Sequence, residues 1–482
     1  MSARYLTTTL PYVNADPHVG FALEAVQADA LARVWRAAGD SVFFSMGTDE
    51  HGQKIFESAQ KAEQETQAYV DHYAKEFQKL KEALNLTNDV FIRTTDPAHV
   101  KAVQEMWRRC EAKGDIYKKT YTGFYCVGCE AFKTEKECVD GKCPLHPNAE
   151  LKEVSEENYF FRFSKYQDAL LSYLERPNVI TPEWRRIEAV NFTKGGLEDF
   201  SISREASRLS WGIPVPGDDS QVMYVWFDAL TNYISTLGWP DDAQENFKKF
   251  WEEGMTLQVA GKDQLRFQSL MWQAMLMSAD IKNTDRVFYH GFITSGGQKM
   301  SKSIGNVINP LSIVEKYGTD ALRYMLLRHI SPAEDSDLTE QTMYDYYNAH
   351  LTNGIGNLVA RVMKLAEEHL SEPVALSDTS ASPEHLSLVG AFKFNEAMDG
   401  IFQMISRADE RINAGEPYKK IKIPETADEA RTLIQGAVQE LGKIAGELEW
   451  AMPRTSGRIF AAIRENKKPE NLFPRLPAPA AL

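Results

Sequence analysis

The 482-residue chain is poor in cysteine: there are five, and four of them fall between Cys126 and Cys143. So few thiols in so long a chain exclude a disulfide-stapled secreted scaffold. No apolar run approaches the roughly 18 residues a membrane-spanning helix needs, and Met1-Ser2-Ala3-Arg4 does not begin a secretory leader. No membrane association and a cytoplasmic location are therefore expected. An excess of positive charge is also missing, because 54 Lys and Arg stand against 68 Asp and Glu for a formal charge of −14. The mean field of such a surface repels a polyanion, which excludes indiscriminate nucleic-acid binding. RNA contact would need local patches, either Arg108, Arg109, Lys113, Lys118 and Lys119 or Lys419, Lys420 and Lys422, unless these are only solvated faces. Absence of a 20–50-residue repeat excludes a solenoid.

What is present reads as a globular chain of two to four domains, with 43% hydrophobic and 25% charged residues. Strand-like runs (Tyr5 to Thr9, Ser41 to Ser45) alternate with helical ones (Val19 to Arg36, Lys54 to Lys61), the rhythm of an α/β fold with a parallel sheet. The rhythm breaks from Tyr117 to Gly212 and returns as strand-like runs at Met223 to Phe227 and Leu257 to Ala260. An insertion at 117–212 therefore splits a sheet built from 1–116 and 213–288. After a connecting region at 289–340, helical periodicity at Met343 to His369 and Ser387 to Ala414, separated by a polar linker from Ser371 to Pro383, predicts an all-α bundle over 341–468 and a proline-rich tail from Pro469.

Two strings almost 300 residues apart carry the chemistry. His18-Val19-Gly20-Phe21 follows the first strand and the turn Asn14-Ala15-Asp16-Pro17. Asp16 as N-cap and Pro17 as first helical residue would place His18 in a first turn whose free N–H groups favour phosphate. Lys299-Met300-Ser301-Lys302-Ser303 follows Gly296-Gly297, and puts two lysines on a segment free to swing toward a leaving pyrophosphate. Asp49-Glu50-His51-Gly52 lies at the carboxyl end of the second strand, where ligands of parallel sheets bind, or else is a turn that closes that strand. Cys126-x-x-Cys129 and Cys143-x-x-His146 form two short chelating pairs, a donor set suited to one structural zinc with no open position. Cys138 packs or waits as a spare ligand, and Cys110 reads as a small buried hydrophobe.

The first two strings resemble the HIGH and KMSKS motifs of class I aminoacyl-tRNA synthetases. Leu10-Pro11-Tyr12, Gly47 to Gly52, Tyr224-Val225-Trp226-Phe227-Asp228-Ala229 and Gly261-Lys262-Asp263 resemble the methionyl branch in particular, from Tyr5 to at least Arg361. The resemblance implies a Rossmann-like catalytic sheet, a zinc-bearing insertion, an anticodon-binding bundle and a tail that folds back. It also implies ligation of L-methionine to tRNA(Met) through methionyl-adenylate, at the expense of ATP with Mg²⁺. His18, Gly20, Gly261, Asp263, Lys299 and Lys302 would handle ATP, with His18, Lys299 and Lys302 catalytic. Leu10, Tyr12, Asp49, Trp226, Ala229, Leu230, Tyr233, Phe267 and Gln268 would bind methionine, although Trp226 and Phe267 could instead be ordinary core residues. Asn357, Arg361 and Tyr418 would read the anticodon. The chain departs from the family where Phe21 takes the place of the second HIGH histidine, where Gln264 and Gln268 replace an apolar residue and a histidine, and where Tyr418 replaces a tryptophan. Two rivals follow: a weakened paralogue that binds tRNA without charging it, and a leucine, isoleucine or valine enzyme, whose insertion would be much larger. With no further domain after the tail, a monomer is expected.

Overall fold

The computed structural model describes residues 2–126, 131–133, 138–144, 151–300 and 306–477. They form two compact units. The first comprises Met1–Pro17, Gly39–Lys81 and Thr87–His290. Its centre is a six-stranded sheet of β1 (Ala3–Thr7), β2 (Ser41–Thr48), β3 (Val90–Arg93), β4 (Ile180–Thr181), β5 (Met255–Gly261) and β6 (Arg286–His290), in the order β3-β2-β1-β5-β6-β4. Every pairing is parallel. Such strands are covered on both faces, and Phe44 to Thr48 and Leu257 to Gly261 are buried at every residue, the polar Ser45, Thr48 and Gln258 included. Gly47 is dictated by the β2–β3 register, because a Cβ there would lie 2.1 Å from the Ile92 carbonyl oxygen. Strand order reverses between β1 and β5, and a doubly wound sheet opens its ligand crevice at the carboxyl ends of such a pair.

The expected insertion carries a four-stranded antiparallel sheet in which Ile116 to Tyr125 pair with Lys152–Phe161, but β4 lies within 117–212 and pairs parallel with β6, so the segment is not a clean interruption of the central sheet. The strand expected at Met223 to Phe227 is a correction: strand Asp218–Met223 ends there, Tyr224 is an extended N-cap and Val225–Leu230 is helical. A five-residue apolar run has no period long enough to tell strand from buried helix.

The second unit comprises His18–Ala38, Glu82–Leu86 and Gly291–Leu482. Helix Val19–Ala37 is keyed into it by the fully buried Arg323, which donates to Asp29 Oδ2 at 2.7 Å and to the carbonyls of Leu84, Ala451 and Trp450. The helix predicted from Met343 runs from Glu340 to His369, with a π-helical stretch Tyr347–Gly356 in its middle and a Thr339/Thr342 capping box at its start. The helix predicted over Ser387 to Ala414 is two, Pro383–Gly390 and Phe394–Gly415, because Phe392 takes φ 62° and turns the chain. Helices Ala427–Leu448 and Pro453–Glu465 complete the array. The tail lies against it: Leu472 and Phe473 are buried, and the Tyr347 hydroxyl donates to the Pro474 carbonyl at 2.9 Å. Among the described residues no helix is long and apolar enough to cross a membrane.

Candidate active site

In the first unit the segments leaving β1, β2 and β5 carry the expected residues. Tyr12 and Asp49 form a bridge, the Asp49 N–H donating to the Pro11 carbonyl (3.0 Å) and the Val13 N–H to the Asp49 carbonyl (3.3 Å), so the two loops are zipped together. Asp49 is 2% exposed. The loop is anchored next door. Buried Glu50 accepts from Arg93 Nε and Nη2 (2.6 and 2.8 Å), Thr48 (2.7 Å) and Thr95 (2.6 Å), and Arg93 donates also to Asp71 (2.5 Å). Burial alone would lower the Arg93 pKa, but Glu50 and Asp71 outweigh it and hold the guanidinium firmly charged.

On the other flank His51 Nδ1 lies 2.7 Å from Asp228 Oδ2, Asp228 Oδ1 lies 2.8 Å from His99 Nε2, and His99 Nδ1 lies 2.8 Å from Ser235 Oγ. Burial pushes the Asp228 carboxyl up, yet the two imidazoles hold it below the usual carboxylate range. Sequence reading gave neither Asp228 nor His99 a role. They are 129 positions apart, and no local spacing could have joined them.

An aromatic wall stands on helix Val225–Leu230 and the π-helical turn Phe267–Met271. Trp226 stacks on Phe267 at 3.9 Å and 13°, and Tyr12 meets Trp226 edge-on at 6.1 Å. The Tyr233 hydroxyl donates to Gln268 Oε1 at 3.0 Å. Ala229 and Leu230 are buried on the Trp226 helix, and Leu10 is half-buried past β1. Gly261 closes β5 where a Cβ would come within 2.8 Å of Asp263 Oδ1, so glycine lets the exposed Asp263 carboxylate fold against the strand end. A further buried cation, Arg204, lies over the rings of Tyr125 (5.1 Å) and Tyr224 (4.8 Å), one residue before the Trp226 helix. Only the fold reveals it.

In the second unit the helix begins one step later than expected. His18, not Asp16, is the N-cap, with extended backbone, and its Nδ1 accepts from the Gly20 N–H at 3.1 Å. An accepting Nδ1 places the proton of the neutral ring on Nε2, at the helix N-terminus. Gly20 is required by that ring: a Cβ there would lie 2.9 Å from His18 Cε1. Phe21 is buried. Gly296 and Gly297, both at positive φ, make a hairpin turn between Ile293–Ser295 and Gln298–Lys299 rather than a free hinge, and Asp337 ties it down through the Gly297 N–H and the Thr294 hydroxyl at 2.8 Å each. Lys299 is exposed at the end of this hairpin with its ammonium 5.1 Å from the Phe292 ring centre. Lys302 lies outside the described residues.

A family model described as "tRNA synthetases class I (M)" matches residues 4–153 and 147–363. The methionine–tRNA ligase of Brucella suis is 41% identical over 95% of this chain and 90% of its own length, and that of Thermotoga maritima 38% over 96% and 76%. The solved structure of Mycobacterium tuberculosis methionyl-tRNA synthetase in complex with methionyl-adenylate matches with a TM-score of 0.88 at 36% identity, over 95% of this chain and 93% of that one. The chain belongs to the methionine-specific class I tRNA synthetases.

In this synthetase the expected anticodon residues lie in the second unit. Exposed Asn357 and half-buried Arg361 are four apart on helix Asn357–His369, hence on one face. Arg361 donates to Asp409 (2.6 Å) and Asn413 (2.8 Å) of helix Phe394–Gly415, whose end turns at Glu416 into the short helix that carries Tyr418, 41% exposed. Of the four expected zinc donors Cys126 and Cys143 are described, both fully buried, while Cys129 and His146 lie outside the described residues. Buried thiols at a strand end and in a turn are the soft donors a closed metal site uses. Cys110 differs: its sulfur packs 4.0 Å from Met106 Sδ and burial pushes its thiol up to about 12, as fits an inert filler.

Proposed function

We propose that this chain activates L-methionine with ATP and transfers it to tRNA(Met). A carboxylate oxygen of methionine bonds to the α-phosphorus as the P–O bond to the β-phosphate breaks, its electron pair leaving on pyrophosphate. A terminal ribose hydroxyl of the tRNA then displaces AMP. The carboxylate is already a nucleophile, so positioning and charge stabilisation carry the rate. Asp49 takes the substrate ammonium. Tyr12, Trp226, Phe267 and Tyr233, with Leu10, Ala229 and Leu230, hold the thioether, which gains from aromatic contact as well as burial. His18 donates from Nε2 to a phosphate oxygen, Gly261 and Asp263 take the ribose hydroxyls, and Lys299 and Lys302 meet the triphosphate, whose charge Mg²⁺ would share. Cys126, Cys129, Cys143 and His146 would hold one zinc that shapes the insertion and takes no part in the chemistry. Asn357, Arg361 and Tyr418 read the anticodon, and the enzyme works as a monomer in the cytoplasm.

The observation that supports this reading most is the Trp226–Phe267 stack with Tyr12 beside it, next to an anchored carboxylate at the switch point of the sheet. Methionine-dependent ATP–pyrophosphate exchange tests the reading. Lys302→Ala should slow adenylate formation about 10²- to 10³-fold with little change in methionine affinity, because the charge it meets grows only in the transition state. An unchanged rate in that variant would favour a paralogue that binds tRNA without charging it.

A further inference from the structure

Gln268 stands in the aromatic pocket with its amide half used. Its Oε1 accepts from the Tyr233 hydroxyl, which commits that hydroxyl's only proton and fixes the amide plane. Its backbone is held as well, since it sits in the π-helical turn Phe267–Met271 and its carbonyl accepts from Gln273 Nε2 at 3.0 Å. The side chain is 1% exposed, yet Nε2, with two hydrogens, has no partner among the described residues. The buried indole N–H of Trp226, on the wall beside it, has none either. Buried donors left unpaired are costly, so the Gln268 amide, next in the chain to the Phe267 ring that Trp226 stacks on, calls for an acceptor brought by the ligand. A thioether sulfur is only a weak acceptor.

We propose that Gln268 reads a hydrogen-bond acceptor at the sulfur position of the amino-acid side chain, and that the enzyme therefore also activates L-methionine S-oxide, whose oxygen accepts from the Gln268 amide. This rests on the methionine reading above. The reaction is the same adenylation, with the sulfoxide unchanged: one P–O bond forms at the carboxylate, one breaks, and pyrophosphate leaves.

Pyrophosphate exchange with L-methionine, each S-oxide epimer and L-norleucine, which has a methylene in place of sulfur, tests the assignment. The parent should use one S-oxide epimer measurably. Gln268→Leu removes both donors and should lower the S-oxide-over-norleucine ratio of kcat/KM about tenfold or more, the ratio one ordinary hydrogen bond is worth. Gln268→Glu keeps the shape and the bond from Tyr233 but loses the donors, so the ratio should fall in the same direction; it decides the matter if the leucine variant fails to fold. A parent that activates methionine and neither epimer, or a ratio unmoved in both variants, overturns the inference. A parent with no methionine-dependent exchange overturns the methionine reading itself.

Discussion

His329 shows how one hydroxyl can fix two protonation states. Its Nε2 lies 2.8 Å from the Tyr324 hydroxyl, His350 Nδ1 lies 2.6 Å from the same oxygen, and Arg328 donates to it at 3.0 Å. With the arginine donating, the hydroxyl can give its one proton to one imidazole and accept from the other, an arrangement that two neutral rings satisfy. His329 also stacks on Tyr346 at 3.6 Å. Burial, with Arg328 and His350 beside it, lowers the His329 pKa from 6.5 to about 3, and burial lowers that of His350 too. The unfolded chain takes up this proton near pH 6.5 and the folded one does not, so the stabilisation is complete above pH 6.5 and is lost as pH falls toward 3. The slope is at most about 1.4 kcal/mol per pH unit for His329. Urea midpoints at pH 7 and pH 5 should differ in the parent and differ less in His329→Gln; an equal difference in both would contradict the assignment.

The insertion depends on where its strands end. Ile116–Cys126 and Lys152–Phe161 pair without a break from Ile116↔Phe161 to Tyr125↔Lys152, and Cys126, one step beyond, pairs with Ala131 on the other edge of the strand. About one zinc per chain is expected in gently purified protein. Cys126→Ser should lose most of that zinc and lower the thermal midpoint, whereas Cys138→Ser should change both little; elemental analysis beside a melting curve separates the two. Elsewhere, spacing alone named some elements well and others poorly. Val19 to Arg36 and Lys54 to Lys61 were legible because apolar residues recur at helical spacing over several turns, and the observed helices are Val19–Ala37 and Gln53–Lys61. The start at His18 was not, because Asp16 and Pro17 carry better generic capping statistics than a histidine whose ring reaches forward to Gly20.

The chain divides its labour over long distances. Helix Val19–Ala37, encoded right after β1, groups with residues 291–482 and not with the sheet residues that precede it, since Asp29 is the partner of Arg323, 294 positions away. Asn357, Arg361 and Tyr418 lie far in sequence from the residues proposed to bind methionine. Alanine at each should cost about 1–3 kcal/mol in tRNA charging per lost base contact and leave pyrophosphate exchange as it was. Arg361→Ala also frees Asp409 and Asn413, so Lys at 361, which keeps the charge without the two-pronged geometry, is the sharper probe. Aminoacylation that stays at the parent level in all three alanine variants would remove these residues from anticodon reading.

The sequence by itself determined the family, the parallel α/β class and the candidate residues, because these reside in short strings whose chemistry is local: a chelating pair, a glycine beside a histidine, a lysine-rich loop. Only the tertiary structure decided what holds those residues. Glu50 needs Arg93 from the next strand, Asp228 needs His51 and His99 from two other elements, and the Gln268 amide acquires its direction from Tyr233. Each is a buried polar group whose partner lies tens to hundreds of positions away, where no periodicity of strand or helix reaches, and burial makes the partner obligatory.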